Sequence, residues 1–107
     1  MAQRVEDLKL WQRADELWDA INALLGRPGL KRDLRLRNQL SDASDSIVSN
    51  IAEGFEQSSD RAFVRFLYIA KSSNGEARAR LRQAQKRGHI SETEWKRPAA
   101  LPKKWPE

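Results

Sequence analysis

Apolar positions recur at helical spacing through most of this chain. At 100° per residue, Leu10, Trp11, Leu17, Trp18, Ile21, Leu24 and Leu25 fall within an arc of about 140°. They predict a first helix over Asp7–Leu25. Asp7 is its expected N-cap, because a carboxylate there can accept a free first-turn N–H. Gly26-Arg27-Pro28-Gly29 is expected to end the helix: glycine permits a left-handed cap and proline blocks continuation.

Leu36, Leu40, Ala43, Ile47 and Ile51 form the stripe of a second predicted helix, over Asp33–Gly54. Its flank is polar, with Asp42, Ser46, Ser49, Asn50 and Glu53. A third helix is predicted from Ser59 or Asp60 to Arg87, with Gly88 as its cap. Its seam is Phe63, Phe66, Leu67, Ala70, Asn74, Ala77, Leu81 and Ala84, interrupted by the polar Asn74. Ser91-Glu92-Thr93-Glu94 is a capping box that opens a fourth helix. Pro98, Pro102 and Pro106 bar a regular helix beyond about Arg97. No strand pattern and no internal repeat appears.

Long helices joined by short loops predict an all-α fold, an up-and-down antiparallel four-helix bundle with a shortened fourth helix. Residues 1–97 form the expected bundle domain, and residues 98–107 an extended or disordered basic, Pro-rich tail. The expected core centres on Trp18, Ile21, Leu40, Ile47, Ile51, Phe66, Leu67 and Leu81.

Composition narrows the chemistry. The 107 residues contain no cysteine, which removes disulfides, thiolate-bound zinc and thiol catalysis. No apolar run approaches the roughly 20 residues needed to span a bilayer. Acids occupy the N-terminal stretch where a signal peptide needs apolar residues, so a soluble, cytoplasmic protein is expected. The net charge of +5 is segregated: residues 1–30 carry −1, residues 31–60 carry −2, and residues 61–107 carry +8. Segregation of this kind points to a polyanion or an acidic partner surface.

Val48-Ser49-Asn50-Ile51-Ala52-Glu53-Gly54, with Phe63-Val64-Arg65-Phe66-Leu67-Tyr68-Ile69-Ala70-Lys71 and Glu6-Asp7-Leu8-Lys9-Leu10-Trp11-Gln12, carries a family resemblance. Together these runs resemble the bacterial four-helix-bundle proteins encoded in intervening sequences of 23S ribosomal RNA genes. The resemblance covers about residues 5–97. It implies a bundle that assembles into a ring-like homopentamer and has no established enzymatic activity. A similar bundle is the accessory protein of diversity-generating retroelements, where it binds a reverse transcriptase and nucleic acid. Three departures stand out. Val48 occupies a position where relatives often carry proline, so a kink in the second helix is not expected. Asn74-Gly75 replaces two small or apolar residues and is expected to weaken the middle of the third helix. The Pro-rich tail stands in place of further turns of the fourth.

Candidate chemistry is sparse. Lys71, Arg78, Arg82 and Lys86 form one strip on the third helix, about 105° round from the apolar seam at standard helical geometry. Such a row can neutralise phosphates without reading bases; the plainer reading is a solvated face of snorkelling side chains. Ser49, Asn50 and Glu53, beside Ser46, lack a histidine, cysteine or second acid for catalysis. They are read as structural polar groups that fix register between helices. His89, the only histidine, lies in the turn after the third helix and has no second imidazole or thiolate to share a metal. The sequence therefore predicts no catalytic residues, metal, cofactor, small-molecule substrate or membrane partner. It predicts a homo-oligomer that binds RNA or DNA, or else a protein-interaction subunit such as a reverse-transcriptase partner.

Overall fold

The computed structural model describes residues 4–96, and among these there are helices and no strands. A 3₁₀ turn at Val5–Asp7 leads into α1 (Lys9–Leu24). It is followed by a short α2 (Pro28–Arg32), then α3 (Leu34–Phe55), α4 (Asp60–Lys86) and α5 (Glu92–Lys96). The predicted tail at residues 98–107 lies outside the described residues.

α3 and α4 make an antiparallel hairpin. Gly54 lies against Phe63 and Phe66, Ser46 meets Ser73, and Asp33 meets Arg87. The paired numbers rise on one helix as they fall on the other. α1 packs on the other side of α3, where the Trp18 indole N–H donates to Asp45 Oδ1 at 2.7 Å and Asn22 Nδ2 donates to Ser44 Oγ at 3.3 Å. α1 and α4 have little direct contact, so α3 is the spine of the molecule. The whole is elongated, 46 × 21 × 21 Å.

Local signals account for most of the boundaries. Ser59 Oγ accepts from the Ala62 N–H at 3.2 Å and starts α4. Gly88 takes φ = 79° after α4, the left-handed conformation that favours glycine, and lets the chain reverse. The Ser91–Glu94 capping box is complete: Ser91 N–H donates to Glu94 Oε1 at 2.9 Å and Glu94 N–H to Ser91 Oγ at 3.1 Å.

Three expectations need correction. Asp7 does not cap α1. Its carboxylate closes the preceding 3₁₀ turn by accepting from the Arg4 N–H, and Leu8 takes the N-cap position. The loop at residues 26–29 is not a simple stop, because Pro28 is the first residue of α2. Proline suits that position, its missing N–H being one that a first turn leaves unpaired anyway. Trp18 and Phe66 are only partly buried and stand outside the core. An arc of about 140° includes flanking positions as well as buried ones. α4 runs unbroken through Asn74-Gly75. α3 is continuous at Val48, where no kink is expected.

The core is Ala14, Leu17, Ile21 and Leu24 from α1, Leu25 just after it, Leu30 from α2, Leu36, Leu40, Ala43, Ile47 and Ile51 from α3, and Ile90 from the α4–α5 turn. α4 contributes Leu67, Leu81 and three alanines, Ala70, Ala77 and Ala84. Small residues on α4 and Gly54 on α3 let the two backbones approach closely. Asn74, also buried here, leaves its Oδ1 without a partner.

Candidate nucleic-acid interface

Lys71, Arg78, Arg82 and Lys86 are all exposed on α4. Their four side chains follow one line along the helix, because steps of 7, 4 and 4 residues return close to the same side. Among the described residues, Lys71, Arg78 and Lys86 make no ion pair. Arg82 is engaged. Its guanidinium stacks 5.2 Å from the centroid of Trp95 on α5 and donates to Gln85 Oε1 at 2.6 Å. α5 thus closes over part of the strip and holds one of its charges in place.

The fold gathers far more positive charge at this end than the strip alone. Because α3 and α4 are antiparallel, residues 27–37 lie beside residues 78–96. These segments hold eleven lysines and arginines against the three carboxylates of Asp33, Glu92 and Glu94, a net +8. The other described residues sum to −5. The molecule has a basic pole and an acidic remainder. Arg78, Arg82 and Lys86 belong to the pole, while Lys71 stands nearer the acidic part. Sequence reasoning missed the contribution of Arg27, Lys31, Arg32, Arg35 and Arg37. In a block average Arg27 is cancelled by the acids at Glu6–Asp19 and the other four by those at Asp33–Asp60. Antiparallel pairing of the second and third predicted helices was the signal that could have exposed them.

Asp33 ties this end together. Its Oδ2 accepts from Arg87 Nη1 at 2.7 Å and pairs with His89 Nε2 at 3.0 Å. The hydrogen bond from Arg87, then that from His89, holds the Asp33 carboxyl below its ordinary range. The His89 ring packs closely on Gly29, where a Cβ would stand 2.3 Å from Nδ1. Hence α2, α3 and the α4–α5 turn are fastened at one point. Arg27 forms a two-pronged ion pair with Glu94, so α5 is anchored to the loop after α1. The Ser91 N–H, then Arg27, holds the Glu94 carboxyl below its ordinary range. A cleft of about 630 Å³ opens beside this network, lined by Arg27, Pro28, Gly29, Arg32, Asp33, Gly88 and His89.

The polar group on α3 is only partly brought together. Asn50 Nδ2 donates to the Ser46 carbonyl at 2.8 Å and to Ser46 Oγ at 3.1 Å. Ser46 Oγ in turn meets Ser73 Oγ at 2.7 Å, so Asn50 reaches α4 through Ser46. Ser49 and Glu53 are exposed and take no part in this link: Ser49 Oγ turns back to the Ser46 carbonyl at 3.4 Å. Among the described residues, no group of three or more His, Cys, Asp or Glu side chains converges to hold a metal. No described helix is long and apolar enough to cross a membrane.

An all-helical protein with one strongly basic end is what fold and surface define. The model of the 23S rRNA-intervening sequence protein family matches residues 6–101, and the chain belongs to that family. No curated protein and no solved structure matches it.

Proposed function

We propose that this chain is a non-catalytic bundle protein that assembles with copies of itself and presents its basic surface to RNA or DNA. Its fold on this reading is an up-and-down four-helix bundle, with α5 the first turn of the fourth helix. The observation that carries the reading is the row of exposed cations on α4, of which Arg78, Arg82 and Lys86 lie within a pole of net +8 and Arg78 and Lys86 make no ion pair among the described residues. Cations that pair with neighbouring carboxylates have little left for a ligand. Lys71, Arg78 and Lys86 make no ion pair among the described residues, so their charge is available to phosphates. Lys71 to Lys86 spans about 22 Å of helix at the standard rise, enough for several phosphates of one strand. Contact of this kind positions a nucleic acid without reading its bases.

Assembly is supported by apolar surface on the same helix. Tyr68 is 55% exposed and Ile69 44% exposed, both on α4. α5 is only five residues long, so it covers little of the flank between α1 and α4. A homopentamer is the assembly that the family resemblance favours, and a ring would repeat the strip and add weak contacts through multivalency. The cytoplasm is the compartment this reading assigns.

A second reading, a protein-interaction subunit such as a reverse-transcriptase partner without direct nucleic-acid contact, is favoured by Tyr68 and Ile69. The double variant R78E/R82E separates the two. On the first reading it keeps its helix content and loses affinity for labelled RNA and DNA. If it binds as the parent does, the strip is a solvated face. If the parent binds neither nucleic acid at about 50 mM salt, where such contacts are strongest, the protein-partner reading holds.

A further inference from the structure

On the side of α4 away from the strip, a small pocket opens between the first turns of α3 and the last turns of α4. Its volume is about 120 Å³, and its lining is Arg35, Leu36, Gln39, Arg80, Gln83 and Arg87. One water needs about 10–15 Å³ by the same kind of measure, so there is room for a multi-atom group. Arg80 and Arg78 are two residues apart and therefore point to opposite sides of α4. The pocket and the strip are separate features.

The lining is rich in donors and poor in acceptors. It holds three guanidinium groups and two amides, and no carboxylate. Gln83 Oε1 already accepts from Arg80 Nη1 at 3.0 Å, which leaves its amide N–H groups free to donate. Arg80 Nε is buried without a hydrogen-bond partner; the nearest acid, Glu76, stands 3.8 Å away, beyond hydrogen-bond reach. Arg35 makes no ion pair among the described residues. A buried donor without an acceptor is costly, and a cluster of like charges adds to the cost. Arg35 sits in the first turn of α3, where the helix dipole is positive, and Asp33 at the N-cap is the acid at that end, paired with Arg87 and His89. A cluster of guanidinium groups with no carboxylate in its lining is unfavourable, and an oxyanion relieves it.

We infer that this pocket is a binding site for a phosphate group. The guanidinium planes of Arg35, Arg80 and Arg87 grip its oxygens, and Gln39 and Gln83 donate to them. Guanidinium matches the oxygen spacing of phosphate with paired parallel bonds, and amide N–H groups add donors without adding repulsion. Arg87 is held in place for this by Asp33, whose carboxylate lies outside the lining.

Titration of the full chain with inorganic phosphate tests the site, read by calorimetry against chloride at matched ionic strength. Phosphate is expected to bind, and chloride not. Arg35→Gln removes one guanidinium from an exposed position, and Arg80→Met keeps the packed stem of Arg80 while removing its head. Each should weaken phosphate at least tenfold. R78Q/R82Q, on the other side of α4, should bind phosphate as the parent does. Should R80M fail to fold, R35Q carries the test alone. The inference is overturned if phosphate binds no better than chloride, if R35Q binds it within twofold of the parent, or if R78Q/R82Q loses it equally. Competition then identifies the source of the group. Displacement by a short RNA without terminal phosphates assigns a backbone diester, and displacement by adenosine monophosphate alone assigns a monoester. Phosphate binding that survives R78E/R82E while RNA binding is lost shows that site and strip are independent.

Discussion

Gly54 and Gly75 both lie inside long helices, yet replacing each by alanine should have opposite effects. Alanine is favoured over glycine in a helix interior by about 1 kcal/mol. At Gly75 that gain is unopposed, because a Cβ there meets nothing within 4 Å. At Gly54 a Cβ would stand 2.8 Å from Phe63 Cδ1 and 2.9 Å from Phe66 Cβ. The Phe63 ring can turn, but the Phe66 Cβ is fixed to the α4 backbone. Relief requires α3 and α4 to move apart, and the tight alanine seam at Ala70 and Ala77 opens with them. Overpacking of this kind costs about 1–3 kcal/mol. Gly54→Ala should therefore be neutral to destabilising by up to about 2 kcal/mol once the helix gain is subtracted. Gly75→Ala should be stabilising by about 1 kcal/mol. The difference between the two variants cancels the propensity gain and measures the packing cost alone. Urea denaturation followed by circular dichroism gives both numbers at equal protein concentration. If the two variants are stabilised equally, α3 and α4 do not meet closely at Gly54 and the hairpin described here is wrong.

Further outcomes follow from the packing and the ion pairs. Leu81 is fully buried, so Leu81→Ala should cost about 2–5 kcal/mol. Phe66 is only partly buried, so Phe66→Ala should cost clearly less, and denaturation midpoints of the two rank them. Asp33 and Glu94 both titrate below their ordinary values of 3.8 and 4.5. The stability that they contribute is fully present above those values and is lost as pH falls through the lower folded ones. A pH series from 7 to 2 should show the midpoint dropping below about pH 4, with a shallower fall in Asp33→Asn.

Features that depend on neighbours in sequence were legible before the fold was known. The cap at Ser59, the reversal at Gly88 and the box at Ser91–Glu94 each involve atoms within a few residues. So does the helical periodicity that places Ile21, Leu40, Ile47, Ile51, Leu67 and Leu81 in the core. Other features depend on what packs opposite. Trp18 and Phe66 share the apolar arcs of their helices, and only the position of α3 decides that they sit at the edge. Pro28 reads equally as the end of one helix or the start of another, and the docking of Leu30 into the core selects the start. Asp33 with Arg87 and His89, and Arg27 with Glu94, join residues 54 to 67 positions apart, which no local pattern reveals. The basic pole is hidden for the same reason: its two halves are distant in sequence and adjacent only in the hairpin.

The central claim is that the basic surface of α4 engages phosphates, and the salt dependence of binding tests it most directly. Fluorescence anisotropy of a labelled single-stranded RNA, titrated with the full chain between about 50 and 200 mM salt, gives the slope of log K against log salt. Single strands lose about 0.7 in that slope for each phosphate neutralised. Three or four cations in contact predict a slope of about −2 to −3 per protomer, reduced in magnitude in R78E/R82E. A slope near zero, or no binding at the lowest salt, contradicts the account.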